Sequence, residues 1–400
     1  MKICIAGKSY IAVEALFYTI EKYSGIDICV IPNRTDRSEN TWEPSLKKMA
    51  EARGIEILDI EDLYQIEELI FISLEFDRII DPGKFNTGNL YNIHFSLLPS
   101  YKGVYTSAMP ILNSESMSGV TLHKIDEGID TGAIVDQMNF DLDVNETALS
   151  LYLKYNTYGL QLFKKNIDRL MKGCFSLKEQ SPLLASYYSR KSIDYSCLSI
   201  DLNKTAFEIN KQVRAFNFRA YQLPKVYDYK ISHSKILGER SANKPGMLID
   251  DFEKHMVIST VDYDLELYKD GLAEAKDCVK TGNIQKLKKL ANNGYNLFEK
   301  FEYGWDLGII AAYHGRWAIL KYLIGSGYNI FSKNANGTNL LMYTISSGEE
   351  KGKQQMIKYL IEQGLSAYIK DFSGKSTLDW LNEYKRKDLI KSVEEITNHK

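Results

Sequence analysis

Three sets of glycines recur at a fixed distance over the last third of this chain. Gly282, Gly315 and Gly348 stand 33 residues apart, while Gly304, Gly337 and Gly374, and Gly294, Gly327 and Gly364, are spaced by 33 and then 37. The extra four residues fall in SGEEKGKQ, read as a turn between helices where an insertion is tolerated. Such a period marks stacked units, each too small to bury its own apolar face alone. An unrelated helical bundle would not hold three glycine positions in register. Residues 267–400 therefore read as an α-helical repeat array.

The first ~175 residues obey a different rule, alternating apolar runs with helical patterns as βαβ units do. Strand candidates are KICIAG, IDICVIP, LIFISL, NIHFS, GVTLHKI and AIVDQMNF. Helices are expected after Ser9, near PSLKKMAEAR, and after Asn145, with Asn145 as N-cap and Gly173 as the stop. In that last helix Leu149, Leu153, Leu160, Phe163, Ile167 and Leu170 keep a helical spacing, broken by polar Asn156. The pattern predicts an α/β, Rossmann-like domain: an open, largely parallel sheet with helices on both faces. Ligands of such sheets bind outside the carboxyl ends of the strands. Between the two ends of the chain, KVYDYKIS and HMVISTVDYDLELY alternate as strands of a small β-rich module, preceded by a helix in KTAFEINKQVRAF. The expected domains are 1–180, 181–266 and 267–400.

Composition removes several function classes. A net charge of −2 gives no basic field to draw in nucleic acid. Five scattered cysteines (Cys4, Cys29, Cys174, Cys197, Cys278) favour reduced, buried thiols in a cytoplasmic protein, with neither a zinc site nor a disulfide framework. MKICIAGKSY reads as a strand ending in glycine rather than a signal peptide. No apolar run approaches the ~20 residues of a membrane span.

Within the α/β segment, YNIHFSLLPSYKG places Asn92 and His94 two apart on a strand, so both side chains leave by one face. Downstream, HKIDEGIDTGAI crowds Asp126, Glu127 and Asp130 into a glycine-rich turn between strands. An amide, an imidazole and a carboxylate at one sheet edge can run acyl transfer: the ring takes a proton, the carboxylate orients it, and the amide holds an oxyanion. By spacing alone, a satisfied structural histidine is the commoner reading.

The order NIHFSLLPSYKG, then DEGIDTGAI, resembles the enzymes that use N10-formyltetrahydrofolate to formylate an amine, over about residues 1–180. In that family Asn-x-His is followed by Ser-Leu-Leu-Pro and later by Asp-x-Gly. The resemblance implies Asn92, His94 and Asp130 as the catalytic trio: oxyanion donor, general base, and the group that fixes the histidine tautomer. It implies a formyl-folate donor and no metal. FISLEFDRII resembles the folate-facing loop, which brings in Leu74, Phe76 and Asp77.

Branches of the family differ in their acceptor. Transfer-RNA members need a basic surface, and purine-pathway members are shorter. IPNRTDRSENTWEPSLKKMA, SYYSRKSIDYSCLSIDL and RAFNFRAYQLPKV resemble the enzymes that formylate dTDP-linked amino-dideoxysugars. This implies a nucleotide-sugar site at Arg219 and Tyr221, and at Asn33 and Arg34 of NRTD. AAYHGRWAILKYLIGSGYNI resembles the ankyrin repeat, and such a tail resembles the formyltransferases acting on dTDP-3-amino-3,6-dideoxyglucose in surface polysaccharide synthesis. The 4-amino isomer stays open, as does an interaction protein on a decayed transferase. Trp305, after Gly304, is either array packing or a second ligand site for a partner protein or a planar base. A homodimer is expected by resemblance.

Overall fold

A computed structural model describes residues 1–196, 198–348 and 352–398. Cys197 and residues 349–351, part of the insertion SGEEKGKQ, lie outside the described residues. Strands β1 (Lys2–Gly7), β2 (Asp27–Pro32), β3 (Glu56–Ile57), β4 (Leu69–Leu74), β5 (Leu90–His94), β6 (Lys102–Gly103), β7 (Met117–Lys124) and β8 (Ile134–Asp141) follow one another. All but β6 form one sheet in the order β3-β2-β1-β4-β5-β7-β8. Strands β1 to β5 run parallel, whereas β7 is antiparallel to β5 and β8 to β7.

Alternation along β1 divides the core. Ile3 and Ile5 face one layer, with α1 (Ser9–Lys22), α2 (Leu46–Arg53), α3 (Met109–Leu112) and α4 (Ala148–Met171). Cys4 and Ala6 face the other, covered by Ile60, Leu63, Ile80 and Phe85 from loops and single-turn helices. The expectation of helices on both faces thus holds for long helices on one face only. Thr147, not Asn145, caps α4, because its Oγ1 accepts the Ser150 N–H while the Ser150 hydroxyl returns the bond. Buried Asn156 breaks the apolar spacing for a reason: its Oδ1 accepts the Ile11 N–H, one of the orphan donors at the start of α1. Of the described cysteines, Cys4, Cys29 and Cys278 are buried, and Cys174 is exposed, contrary to the reading of all as buried thiols.

Strand β9 (Tyr187–Tyr188) pairs with β6 in a separate two-stranded ladder, tying the following segment to the loop after β5. Helix α5 (Ala206–Phe216) then packs on a second sheet of β10 (Lys225–Val226), β11 (Tyr229–Arg240), β12 (Leu248–Asp251), β13 (His255–Ile258) and β14 (Tyr263–Lys269). The array comprises the helix pairs α6 (Leu272–Thr281) with α7 (Ile284–Asn292), α8 (Leu307–Tyr313) with α9 (Trp317–Gly325), α10 (Leu340–Ser346) with α11 (Lys353–Glu362), and α12 (Thr377–Glu383) with α13 (Lys387–Asn398). Gly282 and Gly315 take the left-handed conformation before the second helix of their pairs, but the equivalent in the third pair is Gly352, not Gly348. The insertion moves the register by four. The array's hairpin tips rest on the transferase: Lys333 pairs with Glu14 and Lys370 with Glu21, and Phe372 meets Phe17 edge to face.

Candidate active site

Asn92 and His94 are the last residues of β5 on the face that opens at its carboxyl end. The antiparallel ladder sets Asn92 directly opposite His123 of β7. Asp130 comes from the β7–β8 turn, at φ 53, a left-handed conformation. The turn can close only because residue 132 is glycine, since a Cβ there would stand 1.9 Å from the Lys124 carbonyl oxygen. Gln180 Nε2 then clamps the turn, donating to the carbonyls of Asp130 and Gly132.

The groups converge on one atom. Asp130 Oδ1 lies 3.4 Å from Asn92 Nδ2, 3.5 Å from His94 Nδ1 and 3.6 Å from His123 Nε2. Its Oδ2 accepts the Gly103 N–H at 2.9 Å, which gives the Lys-Gly of YNIHFSLLPSYKG its purpose. Burial alone would raise the Asp130 pKa. The His94 and His123 rings and the Gly103 N–H outweigh it and hold the carboxyl well below the usual range. Burial pushes the His94 pKa down, and the Asp130 charge only partly restores it, so the ring is a neutral base at pH 7. Its tautomer is set by the Tyr101 carbonyl, 2.8 Å from Nε2. A carbonyl only accepts, so Nε2 carries the proton and Nδ1 faces Asp130 with its lone pair. The role of tautomer-fixing, expected of Asp130, thus falls to the SLLPSYKG loop.

These groups line a cavity of about 640 Å³ that opens beside the carboxyl ends of β4 and β5. Phe76 and Asp77 lie on its wall, as do Glu75, Ile79, Ile129 and Arg190. Leu74 does not: it is fully buried in the core, where alternation points it. Asp77 Oδ1 is buried without a hydrogen-bond partner, an acceptor left over for a bound donor.

The nucleotide-sugar residues are scattered by comparison. Asn33 spends its amide on the 75–77 loop, donating to the Glu75 carbonyl at 2.9 Å and accepting from the Asp77 N–H at 3.2 Å. It shapes the cavity wall, with one of its two amide protons committed to that loop. Arg34 is largely exposed, with its Nε 3.4 Å from Asp77. Tyr221 is half exposed, packed on Trp42 and Phe218, and receives Lys8 Nζ at 3.2 Å. Arg219 serves another end: its side chain is only 8% exposed and is held by Glu299 at 2.6 Å and Asp270 at 2.7 Å. It fastens the β module to the first ankyrin unit, which replaces its reading as a nucleotide-sugar ligand. Trp305 is half-buried against Tyr313 and Tyr343, with ring centroids 5.9 and 5.1 Å away. Tyr343 lines a separate cavity of about 450 Å³ between α2 and the array. Sequence reasoning passed over His123, although HKIDEGIDTG begins with it; the signal was its place opposite Asn92 on a neighbouring strand.

Comparison with known proteins agrees with this geometry. A formyl transferase family model matches residues 70–167, and a model of three ankyrin repeats matches residues 276–393. Methionyl-tRNA formyltransferase from Coxiella burnetii is 26% identical over 297 residues, which is 70% of this chain and 93% of the relative. Solved structures of higher identity are sugar enzymes. WlaRD, a sugar 3N-formyl transferase crystallised with dTDP and 5-N-formyl-THF, is 44% identical over 67% of this chain and 97% of its own, with a TM-score of 0.63. The N-formyltransferase from Helicobacter canadensis, in complex with folinic acid and dTDP-3-aminofucose, is 43% identical over 68% of this chain and 100% of its own, also with a TM-score of 0.63. The chain belongs to the sugar N-formyltransferases, with ankyrin repeats following the transferase on the same polypeptide.

Proposed function

We propose that this protein transfers the formyl group of N10-formyltetrahydrofolate to the 3-amino group of dTDP-3-amino-3,6-dideoxyglucose, for a surface polysaccharide. The observation that carries the reading is the convergence of Asn92, His94 and Asp130 on the wall of one cavity. Two relatives above 40% identity, one a sugar 3N-formyl transferase and the other bound to dTDP-3-aminofucose, support the 3-amino acceptor. Intact site geometry counts against a decayed transferase that only presents the repeats.

The folate supplies a formyl carbon open to attack. The apolar side chains of Ile79 and Ile129, both exposed, and of Phe76 on the cavity wall suit its flat rings, and the Asp77 Oδ1 left without a hydrogen-bond partner suits its polar edge. As the acceptor amine attacks, His94 Nδ1 takes the proton that the amine sheds. When the bond from the formyl carbon to N10 breaks, the imidazolium returns that proton to N10 of the departing tetrahydrofolate. Asp130 stays ionised beside the ring and stabilises the imidazolium. Asn92 turns an N–H to the oxygen on which charge develops; its 3.4 Å bond to Asp130 is long and readily exchanged. Tyr221 and Arg34 remain our candidates for the nucleotide, with Lys8 beside Tyr221. Exposed Leu183 and Leu184, in the segment after the catalytic domain, fit the homodimer that we expect, in the cytoplasm. Among the described residues no helix is long and apolar enough to cross a membrane.

Assays with dTDP-3-amino and dTDP-4-amino sugars side by side test the reading, with release of tetrahydrofolate as the readout. Product with the 3-amino sugar is expected. Faster turnover of the 4-amino sugar would move the acceptor, and no product from either between pH 6 and 9 would overturn the reading. Trp305 is our candidate for a second site on the array, for a partner protein or a planar ring such as a nucleotide base, against the array packing that its contacts with Tyr313 and Tyr343 also explain. Binding isotherms for dTDP on Trp305→Ala should show one site fewer than the parent, and unchanged stoichiometry would sink that idea.

A further inference from the structure

We propose that His123 is a positioning residue for Asn92, fixing which atom of the carboxamide faces the reaction. The inference rests on the formyl transfer proposed above. His123 is buried and lies directly across the antiparallel ladder from Asn92, so both side chains leave the sheet by one face. Its Nδ1 is 2.7 Å from the Lys124 carbonyl oxygen. That oxygen can only accept, so Nδ1 carries the ring proton and Nε2 presents a lone pair. Nε2 stands 3.1 Å from Asn92 Nδ2, and only the amide nitrogen can donate to it.

A chain of directed bonds results. Lys124 sets the His123 tautomer, His123 sets the Asn92 rotamer, and the second Asn92 N–H is left pointing at Asp130 and the cavity. Were the ring unable to accept, the carboxamide could turn over and offer its carbonyl oxygen to the developing oxyanion, which would repel it. The same Lys124 carbonyl is the wall past which Gly132 closes the Asp130 turn. One main-chain oxygen therefore aligns both the amide and the carboxylate of the site.

Kinetics of His123→Leu and His123→Gln test the inference in the full-length chain. Loss of a correctly aimed oxyanion donor predicts a fall in kcat of about 10²-fold for His123→Leu, with KM for both substrates within about twofold. Glutamine can still accept from Asn92 through Oε1, so His123→Gln should regain about tenfold of that loss. In an Asn92→Ala background His123→Leu should have no further effect, because nothing is left to position. A full additional loss there, an effect confined to KM, or a glutamine variant as poor as leucine would overturn the inference. A second measurement does not need turnover. With six histidines in the chain, ¹⁵N-histidine spectra can assign the His123 ring, identified by its absence in His123→Gln. The Nδ1–H tautomer is expected, and the Nε2–H tautomer would defeat the inference even in an active enzyme. A parent chain that formylates neither sugar yet shows the Nδ1–H tautomer would overturn the proposed reaction and leave the His123–Asn92 bond standing.

Discussion

Asp130 in the transferase is partly buried and Asp306 in the ankyrin array fully so, and they are provided for in opposite ways. Asp306 is saturated by short bonds. Its Oδ1 accepts the Ile309 N–H at 2.9 Å and the Tyr328 hydroxyl at 2.7 Å, and its Oδ2 accepts the Ser332 hydroxyl at 2.6 Å. Lys300 Nζ, 3.3 Å away, shares its three protons among Asp306, the Gly304 and Lys333 carbonyls and Ser332 Oγ. Asp130 has one good bond, from Gly103, and three nitrogens held at 3.4–3.6 Å on a cavity wall. A saturated buried network fixes a shape, whereas a loose one keeps hydrogen-bonding capacity for a reaction. Buried charge alone therefore does not mark the active site; unspent capacity facing open volume does.

The comparison can be broken in three places. His94→Asn removes the base from the loose cluster and should cut kcat by about 10³-fold or more, with the melting temperature nearly unchanged. Collapse of the fold instead would make His94 a structural residue like Asp306. Lys300→Met leaves Asp306 buried and unpaired, which should cost about 3 kcal/mol of stability, read by denaturant unfolding, while kcat of the folded enzyme stays put. A stability within error of the parent would show that the array's network is not what holds it. Asp130→Asn should lower kcat by about 10²-fold and sharpen the assignment of the base. The Asp130 charge raises the His94 pKa against burial, so removing it lowers that pKa. The base form then persists to lower pH, and the acidic limb of the kcat profile should move to lower pH. A limb that moves up, or stays in place, would mean that a group other than His94 titrates in it.

Much of this molecule is legible before it folds. LIFISL is a strand from its first letter to its last, because an apolar run of that length, broken only by Ser73, can be buried on both faces. Asn92 and His94 are co-facial by the two-residue period of a strand, and the SLLPSYKG loop supplies the backbone groups that hold His94 and Asp130. Other features were not local. The cap at Thr147 depends on a reciprocal bond with Ser150 that competes with the equally suitable Asn145. Arg219 resembles a phosphate ligand in its own stretch of sequence, and its partners Asp270 and Glu299 lie far along the chain.

The sequence by itself determined what is written in short periods: strand alternation, the 33-residue repeat, and the spacing that pairs Asn92 with His94. These follow from backbone geometry, which repeats every few residues whatever the surroundings. Tertiary structure alone decided which polar groups meet. It set His123 across the ladder from Asn92, turned Arg219 toward the array, and brought the hairpin tips onto α1. Hydrogen bonds and ion pairs act over a few ångströms of space, and distance along the chain does not measure that space.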